Sequence, residues 1–121
     1  MNLINHSTTQ ELIVEVSSDS IILKNEQDAI QIMEDIFAVG ASKIILYKEN
    51  ITQEFFDLKT GLAGAILQKF VNYHIQVAFV GDFGNITSRS LNAFISESNR
   101  GNQIFFYENL DLAIQKLSSI V

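Results

Sequence analysis

Four residues, Asp57, Lys59, Thr60 and Asp82, have the types and positions that invite chemistry. Asp57 and Asp82 each come after an apolar run that reads as a strand. They could form a carboxylate pair for acid–base work or for magnesium, although capping a turn or pairing with Lys59 is the commoner employment of such residues. Thr60 precedes Gly61-Leu62-Ala63-Gly64, where an apolar helix opens. Its hydroxyl is placed to act as an N-cap, and it could instead accept a phosphoryl group whose charge would alter the surface offered to a partner. Lys59, the amides of Thr60 and Gly61, and Arg89 could together hold a small anion. The familiar alternatives find no support. Gly61-Leu62-Ala63-Gly64 lacks the continuation of a phosphate loop, and the dinucleotide glycine spacing is absent. His6 and His74 are far apart in a chain without cysteine, which gives no zinc site, and no G-x-S-x-G follows a strand. No metal, cofactor or catalytic constellation is therefore expected.

The elements that must position these residues are legible from hydrophobic periodicity. Leu62, Ile66, Phe70 and Tyr73, widened by Ala63 and Leu67, make one stripe of a helix reaching about Tyr73. Before it, Leu12-Ile13-Val14-Glu15-Val16 alternates as a strand, and Ile21-Ile22-Leu23 reads as its hairpin partner across the turn Ser17-Ser18-Asp19-Ser20. Asn25 caps a first helix with the stripe Ala29, Ile30, Met33, Ile36 and Phe37, ended by Gly40. Lys43 to Tyr47 is a nearly continuous apolar run, as expected of a strand inside a parallel sheet, and Ile51 to Phe56 forms a short helical turn. Ile75 to Val80 is the next strand, stopped by Gly81-Asp82-Phe83-Gly84-Asn85. Thr87 or Ser88 caps a third helix carrying Leu91, Phe94 and Ile95. Gln103 to Tyr107 is the last strand, and Asn109 caps the last helix.

Strands alternating with helices imply right-handed crossovers and an α/β fold: an N-terminal hairpin, then three strand-helix units, giving a mostly parallel five-stranded sheet with about four helices. Ligands and partners gather at the carboxyl ends of strands in such sheets. Asp57, Lys59, Thr60, Gly61, Asp82, Thr87 and Ser88 should share that edge. If all helices lay on one side, the other face, with some of Ile44, Leu46, Ala78, Val80 and Phe105, would need a cover, which a homodimer through the sheet face would supply. The aromatic residues beside strands, among them Phe55, Phe56, Phe79, Phe83, Phe105 and Phe106, are expected in the core.

Whole-chain quantities bound the partners. The 121 residues fit one domain, with residues 1–10 expected as a loose terminus, and 47% hydrophobic content suffices for a real core. Eight basic against fourteen acidic residues give a net charge of −6, which disfavours nucleic acid and anionic membrane as partners. The chain shows no apolar leader and no run approaching the roughly 20 residues of a membrane span. Together with the lack of cysteine, this suits a cytoplasmic location.

The runs FFDLKTGLAGAILQKFVNY, VAFVGDF and FISESNRG resemble an uncharacterised bacterial family, the domain-of-unknown-function family four-one-eight-zero, over nearly the whole chain. More distantly, the element order with Asp57, Thr60, Gly61 and Leu62 at the second helix looks like the STAS domains of anti-sigma-factor antagonists, which carry Asp-Ser-Ser/Thr-Gly-Leu there. That resemblance implies a STAS-like strand-helix superhelix, a regulatory protein-interaction role without catalysis, and Thr60 at the position of the phosphorylation switch. Here Leu58-Lys59-Thr60 stands where the family has two hydroxyl residues, so one residue is inserted and Lys59 replaces a serine. A receiver domain shares the element order but needs an acidic pair after its first strand, where this chain has Ser17-Ser18. The leading expectation is a module that binds another protein at this edge. A small-anion or apolar-ligand binder using the same edge is the alternative, and a hydrolase or transferase using Asp57 and Asp82 comes third.

Overall fold

A computed structural model describes residues 1–6 and 12–120. Five strands form one sheet in the order β1-β2-β3-β4-β5. β1 (Asn2–Asn5) runs antiparallel to β2 (Ile13–Ser17). β3 (Lys43–Tyr47), β4 (Gln76–Val80) and β5 (Ile104–Tyr107) continue the sheet parallel to β2. The crossovers are helical: α1 (Glu26–Ala38), α2 (Leu62–Asn72) and α3 (Arg89–Arg100), with α4 (Leu110–Ser118) closing the chain. The expected order of a hairpin, a helix and three strand-helix units holds.

The hairpin, however, is built from other residues than expected. Asn2–Asn5, read as loose terminus, is the strand that pairs with β2, Leu3 lying opposite Val16 and Ile4 opposite Glu15. Residues 7–10, the rest of that terminus, and Glu11 lie outside the described residues. Ile21-Ile22-Leu23 forms no strand; Leu23 alone makes a parallel bridge to Ile51. Leu23 and Ile51 are both buried, so the apolar triplet serves a packed loop rather than a ladder. The crossing is pinned by Asn50, whose buried Nδ2 donates to the carbonyls of Ser18 at 2.8 Å and Ser20 at 2.9 Å.

The alternation of the strands divides the core in two. Val14, Val16, Ile44, Leu46, Val77, Phe79 and Phe106 face α1 and α2, and the half-buried Phe94 and Ile95 of α3 pack on the same cluster. Ile13, Ile45, Ala78, Val80 and Phe105 face the other way, onto Ala113 and Leu117 of α4. Helices thus cover both faces. Ile44 and Leu46 belong to the first face, and the second is not bare, so the condition under which a second copy was expected on the sheet face is not met. Lys43, which heads β3 and is buried, donates from Nζ to the carbonyls of Leu117 (2.6 Å) and Ile120 (2.7 Å). A cation there answers the negative end of the α4 dipole and its unpaired carbonyls.

The helix stripes of α1 and α2 are shifted from expectation, Ile32 being buried where Ile30 was expected. α1 buries Ala29, Ile32, Met33 and Ile36, and α2 buries Ala63, Ile66, Leu67 and Phe70. Phe37 and Tyr73, each counted with the core stripe of its helix, are 45% and 56% exposed. Phe37 follows the buried Ile36 directly and Tyr73 stands three residues past the buried Phe70, both at the ends of their helices.

Candidate functional site

The edge at the carboxyl ends of β3 and β4 is built from three successive 3-10 turns, Lys48–Asn50, Gln53–Phe56 and Leu58–Thr60. Phe55 is the buried anchor of this stretch, its ring 5.0 Å from Phe56 and 5.5 Å from Phe79. From Phe79 the aromatic contacts run on through Phe106 (5.0 Å, stacked), Phe83 (5.3 Å, edge-on) and back to Phe56 (6.1 Å). Pairs at these separations attract beyond their area burial and restrict ring motion. The floor under the edge is therefore a closed ring of Phe side chains, four of the six expected core aromatics being buried while Phe56 and Phe83 are half-exposed at its rim.

The polar residues of the edge are turned inward to their own backbone. Asp57 accepts from the Lys59 amide at 3.3 Å. The Thr60 hydroxyl donates to the carbonyls of Glu54 (3.1 Å) and Asp57 (3.0 Å) and accepts from the Leu62 amide at 3.2 Å. The expected N-cap position shifts by one residue: Gly61, at φ 77°, is the N-cap of α2, and Thr60 closes the preceding turn. Leu58–Thr60 forms a 3-10 turn, and the chain enters α2 from it through a left-handed residue, which glycine supplies without a Cβ penalty. Asp82 accepts from the Gly84 amide at 3.0 Å and from Asn85 Nδ2 at 2.9 Å, fixing the loop after β4. Of the two candidates for the α3 cap, Ser88 takes it, accepting from the Leu91 amide at 3.2 Å; Thr87 is exposed beside it.

Lys48 joins β3 to the loop after β4. Its Nζ donates to the Asp82 carbonyl and lies 5.3 Å from the centre of the Phe83 ring. Its stem runs so close to Gly81 that a Cβ added there would lie 2.5 Å from Lys48 Cβ. Phe56 lines three open clefts. One, of about 470 Å³, lies between Tyr47, Lys48, Phe56, Val80 and Asp82. Another, of about 440 Å³, brings together Asp57, Lys59, Ser88 and Ser90 beside Phe56 and Leu58. Asp57, Lys59 and Ser88 therefore share one cleft, Asp82 lines another, and Asp57 also borders the third with Lys48 and Gln53, whereas Thr60, Gly61 and Thr87 stand exposed outside them. Neither Asp57 nor Asp82 pairs with Lys59 through side chains, and among the described residues no three His, Asp or Glu side chains gather as a metal would require.

One polar cluster escaped the sequence reading. Glu15, buried on the α4 side of β2, accepts from the Tyr47 hydroxyl at 2.7 Å, and His6 Nε2 lies 2.7 Å from its other oxygen. Burial and the bond to Glu15, reinforced by the charges of Glu15 and Glu49, push the Tyr47 phenol well above its ordinary value of 10.0. The signal lay in Glu15 itself, a charge between Val14 and Val16 in a strand whose neighbours are apolar on both sides.

The sequence matches the model of a family described as Domain of unknown function (DUF4180) over residues 8–117. No curated protein matches it. A crystal structure from Thermotoga maritima, reported as that of a candidate anti-sigma factor antagonist, is similar at a TM-score of 0.48 and 14% identity, covering 96% of this chain and 94% of that one. No helix among the described residues is long and apolar enough to cross a membrane.

Proposed function

We propose that this chain, which belongs to the family described as Domain of unknown function (DUF4180), is a non-catalytic cytoplasmic regulatory module that binds another protein at the edge formed by Asp57 to Gly64 and Asp82 to Ser88. The observation that carries this reading is the employment of the edge's polar side chains. Asp57, Thr60, Asp82 and Ser88 are each engaged with backbone or loop groups of their own segment. These bonds employ the side chains in fixing turns and helix starts, which is a structural use of such residues rather than the pairing of an acid with a base. The same bonds make the edge stiff, and a stiff polar rim over an aromatic floor, with Lys59 and Arg89 exposed on it, suits recognition of a partner surface.

Thr60 is the residue through which such binding would be switched. It is exposed, and a phosphate on Oγ1 would remove the proton now donated to Glu54 and Asp57 while placing negative charge at the amino end of α2. Modification would thus both loosen the 3-10 turn and change the charge shown to the partner.

The cleft of about 470 Å³ favours a second reading, a small-ligand site on the same edge, since its size falls within the roughly 300–1,000 Å³ usual for such sites. One experiment separates the two. Proteins captured from lysate by the wild-type chain are compared with those held by Lys59→Glu combined with Arg89→Glu and by Thr60→Glu. Loss of the same protein from both variants is the expected result, and a partner held equally by all three chains rejects the interaction reading. Native mass spectrometry of the purified chain reports the second reading directly, as a bound small molecule that Phe56→Ala releases.

A further inference from the structure

The rim opposite the candidate edge carries a second surface. α2 enters from the carboxyl-end loops and runs back to the start of β4, and α1 likewise ends where β3 begins. Their last turns therefore lie side by side at the amino ends of the strands. There the two aromatic residues that miss the core meet: the Phe37 and Tyr73 rings are edge-on with centres 6.4 Å apart, both exposed. Between the helices is a groove of about 270 Å³ with Ile30 and Met33 as its apolar floor and Glu34 and Lys69 on its rims. Phe37, Val39 and Tyr73 are three of the seven large apolar residues exposed among the described residues, and all three stand at these helix ends.

The charge around the groove is net acidic, four carboxylates on α1 against Lys24 and Lys69. α1 carries Glu26, Asp28, Glu34 and Asp35 and no basic residue. Lys69, the cation on the α2 rim, reaches Glu26 at 3.9 Å, and Lys24 reaches Asp28 at 3.6 Å. Glu34 has no cationic partner among the described residues. We propose that this groove docks a short amphipathic helix of another protein, one whose apolar anchors are spaced at i, i+3 or i+4, and i+7 and are flanked by lysine or arginine. The helix-in-groove mode fits because the walls are two helices with no open strand edge between them. The volume is below that of a typical small-molecule site, which points to side-chain anchors as the occupants. A second copy is the weaker occupant, since each chain has a net charge of −6 and would bring the same acidic α1 to the contact.

The test uses the full chain, labelled with nitrogen-15, and two synthetic peptides of about 16 residues, long enough to hold some helix in water. Both carry leucines at the stated spacing; one is flanked by lysines and the other by glutamates. The lysine peptide is expected to shift the amides around Ile30, Met33, Phe37 and Tyr73 saturably. Binding should weaken at least tenfold with the glutamate peptide, with Glu34→Lys and with Phe37→Ser, both exposed substitutions whose spectra report whether the fold is kept. Lys59→Glu, at the opposite rim, should leave it unchanged, so that failure here and failure of the edge reading stay distinct. The proposal is overturned if neither peptide shifts these amides, if both bind equally, if the shifts fall elsewhere, or if the groove amides respond instead to protein concentration alone, which would identify a second copy as the occupant.

Discussion

The Tyr47 hydroxyl donates to Glu15 Oε2 at 2.7 Å across the β2–β3 pair. This bond and the His6 contact on the other oxygen together satisfy a carboxylate that the α4 side of the sheet leaves little open to water. Removing one partner of a buried hydrogen-bonded charge costs more than the bond contributes, because the remaining group keeps its desolvation penalty.

Tyr47→Phe is accordingly expected to lower unfolding free energy by about 1–3 kcal/mol, read by urea denaturation near neutral pH. It should also change the alkaline limb. The folded phenol holds its proton more firmly than the unfolded one, so its contribution is fully present below the ordinary value of 10.0 and is lost as pH rises above it. Wild-type stability should therefore fall more steeply with pH above about 10 than that of Tyr47→Phe. Parallel pH profiles for the two chains would contradict this account of Tyr47.

Asn99 of α3 seals the outer edge of β5. Its side-chain carbonyl accepts from the Phe106 amide at 2.7 Å and its Nδ2 donates to the Phe106 carbonyl at 3.0 Å, so the amide group stands in for a sixth strand. Asn99→Ala should cost about 1–3 kcal/mol and speed hydrogen exchange at Phe106, while leaving a strand edge open to pairing with other chains. Asn99→Asp keeps the acceptor but faces the Phe106 carbonyl with a charge, and should not restore wild-type stability.

The contact between Gly81 and Lys48 yields a prediction whose sign depends on which atom is in the way. The obstacle to a Cβ at position 81 is Lys48 Cβ, not the far end of the lysine. Gly81→Ala should destabilise by about 1–3 kcal/mol through overpacking. Shortening the neighbour with Lys48→Ala should not relieve it, whereas Lys48→Gly should. A double-mutant cycle by chemical denaturation reads the coupling, which should be strong for the glycine and weak for the alanine.

The parts of the fold legible in the sequence were those where one physical signal dominated. Lys43 to Tyr47 could only be an interior strand because it is apolar on both alternations, and Asn25 and Asn109 announced helices by their side chains and do cap them. β1 was hidden because only Leu3 packs against the core; Ile4 is 41% exposed, so no alternation marks the strand. Ile21-Ile22-Leu23 misled for the opposite reason: a buried crossing loop needs the same apolar residues as a short strand. At the candidate site, sequence brought Asp57, Lys59 and Ser88 to one edge correctly. Hydrogen-bond direction was beyond it, since whether Thr60 caps α2 or closes the turn before it depends on the 3-10 turn Leu58–Thr60 and the left-handed Gly61, which periodicity does not encode. Glu15 and His6 were invisible as a pair because their meeting depends on the register of a hairpin whose first strand was itself unmarked.

The last prediction concerns two helix ends built to the same plan with different residues. α1 ends with the Ala41 amide bonded to the Ile36 carbonyl at 2.9 Å and the Gly40 amide to Phe37 at 2.9 Å. α2 ends with the Ile75 amide bonded to Phe70 at 2.9 Å and the His74 amide to Val71 at 3.1 Å. Both pairs are the bonds of a Schellman motif, which places its penultimate residue in the left-handed region. Gly40 takes φ 80° there without a Cβ, whereas His74 takes φ 58° as an L residue and is the one non-glycine with positive φ among the described residues. That conformation costs an L residue roughly 1–2 kcal/mol, while glycine adds about 0.5–1 kcal/mol of backbone entropy to the unfolded chain. The difference leaves His74→Gly stabilising by about 0.5–1 kcal/mol, and Gly40→Ala, the reverse change at the matched position, destabilising by a similar amount. His74 is exposed, with no side-chain hydrogen bond or ion pair among the described residues to be lost, so nothing offsets the gain. Urea denaturation of the two variants checks both signs. A destabilised His74→Gly would mean that the imidazole contributes more to the helix end, or to the adjoining Tyr73 and its groove, than the strain it imposes.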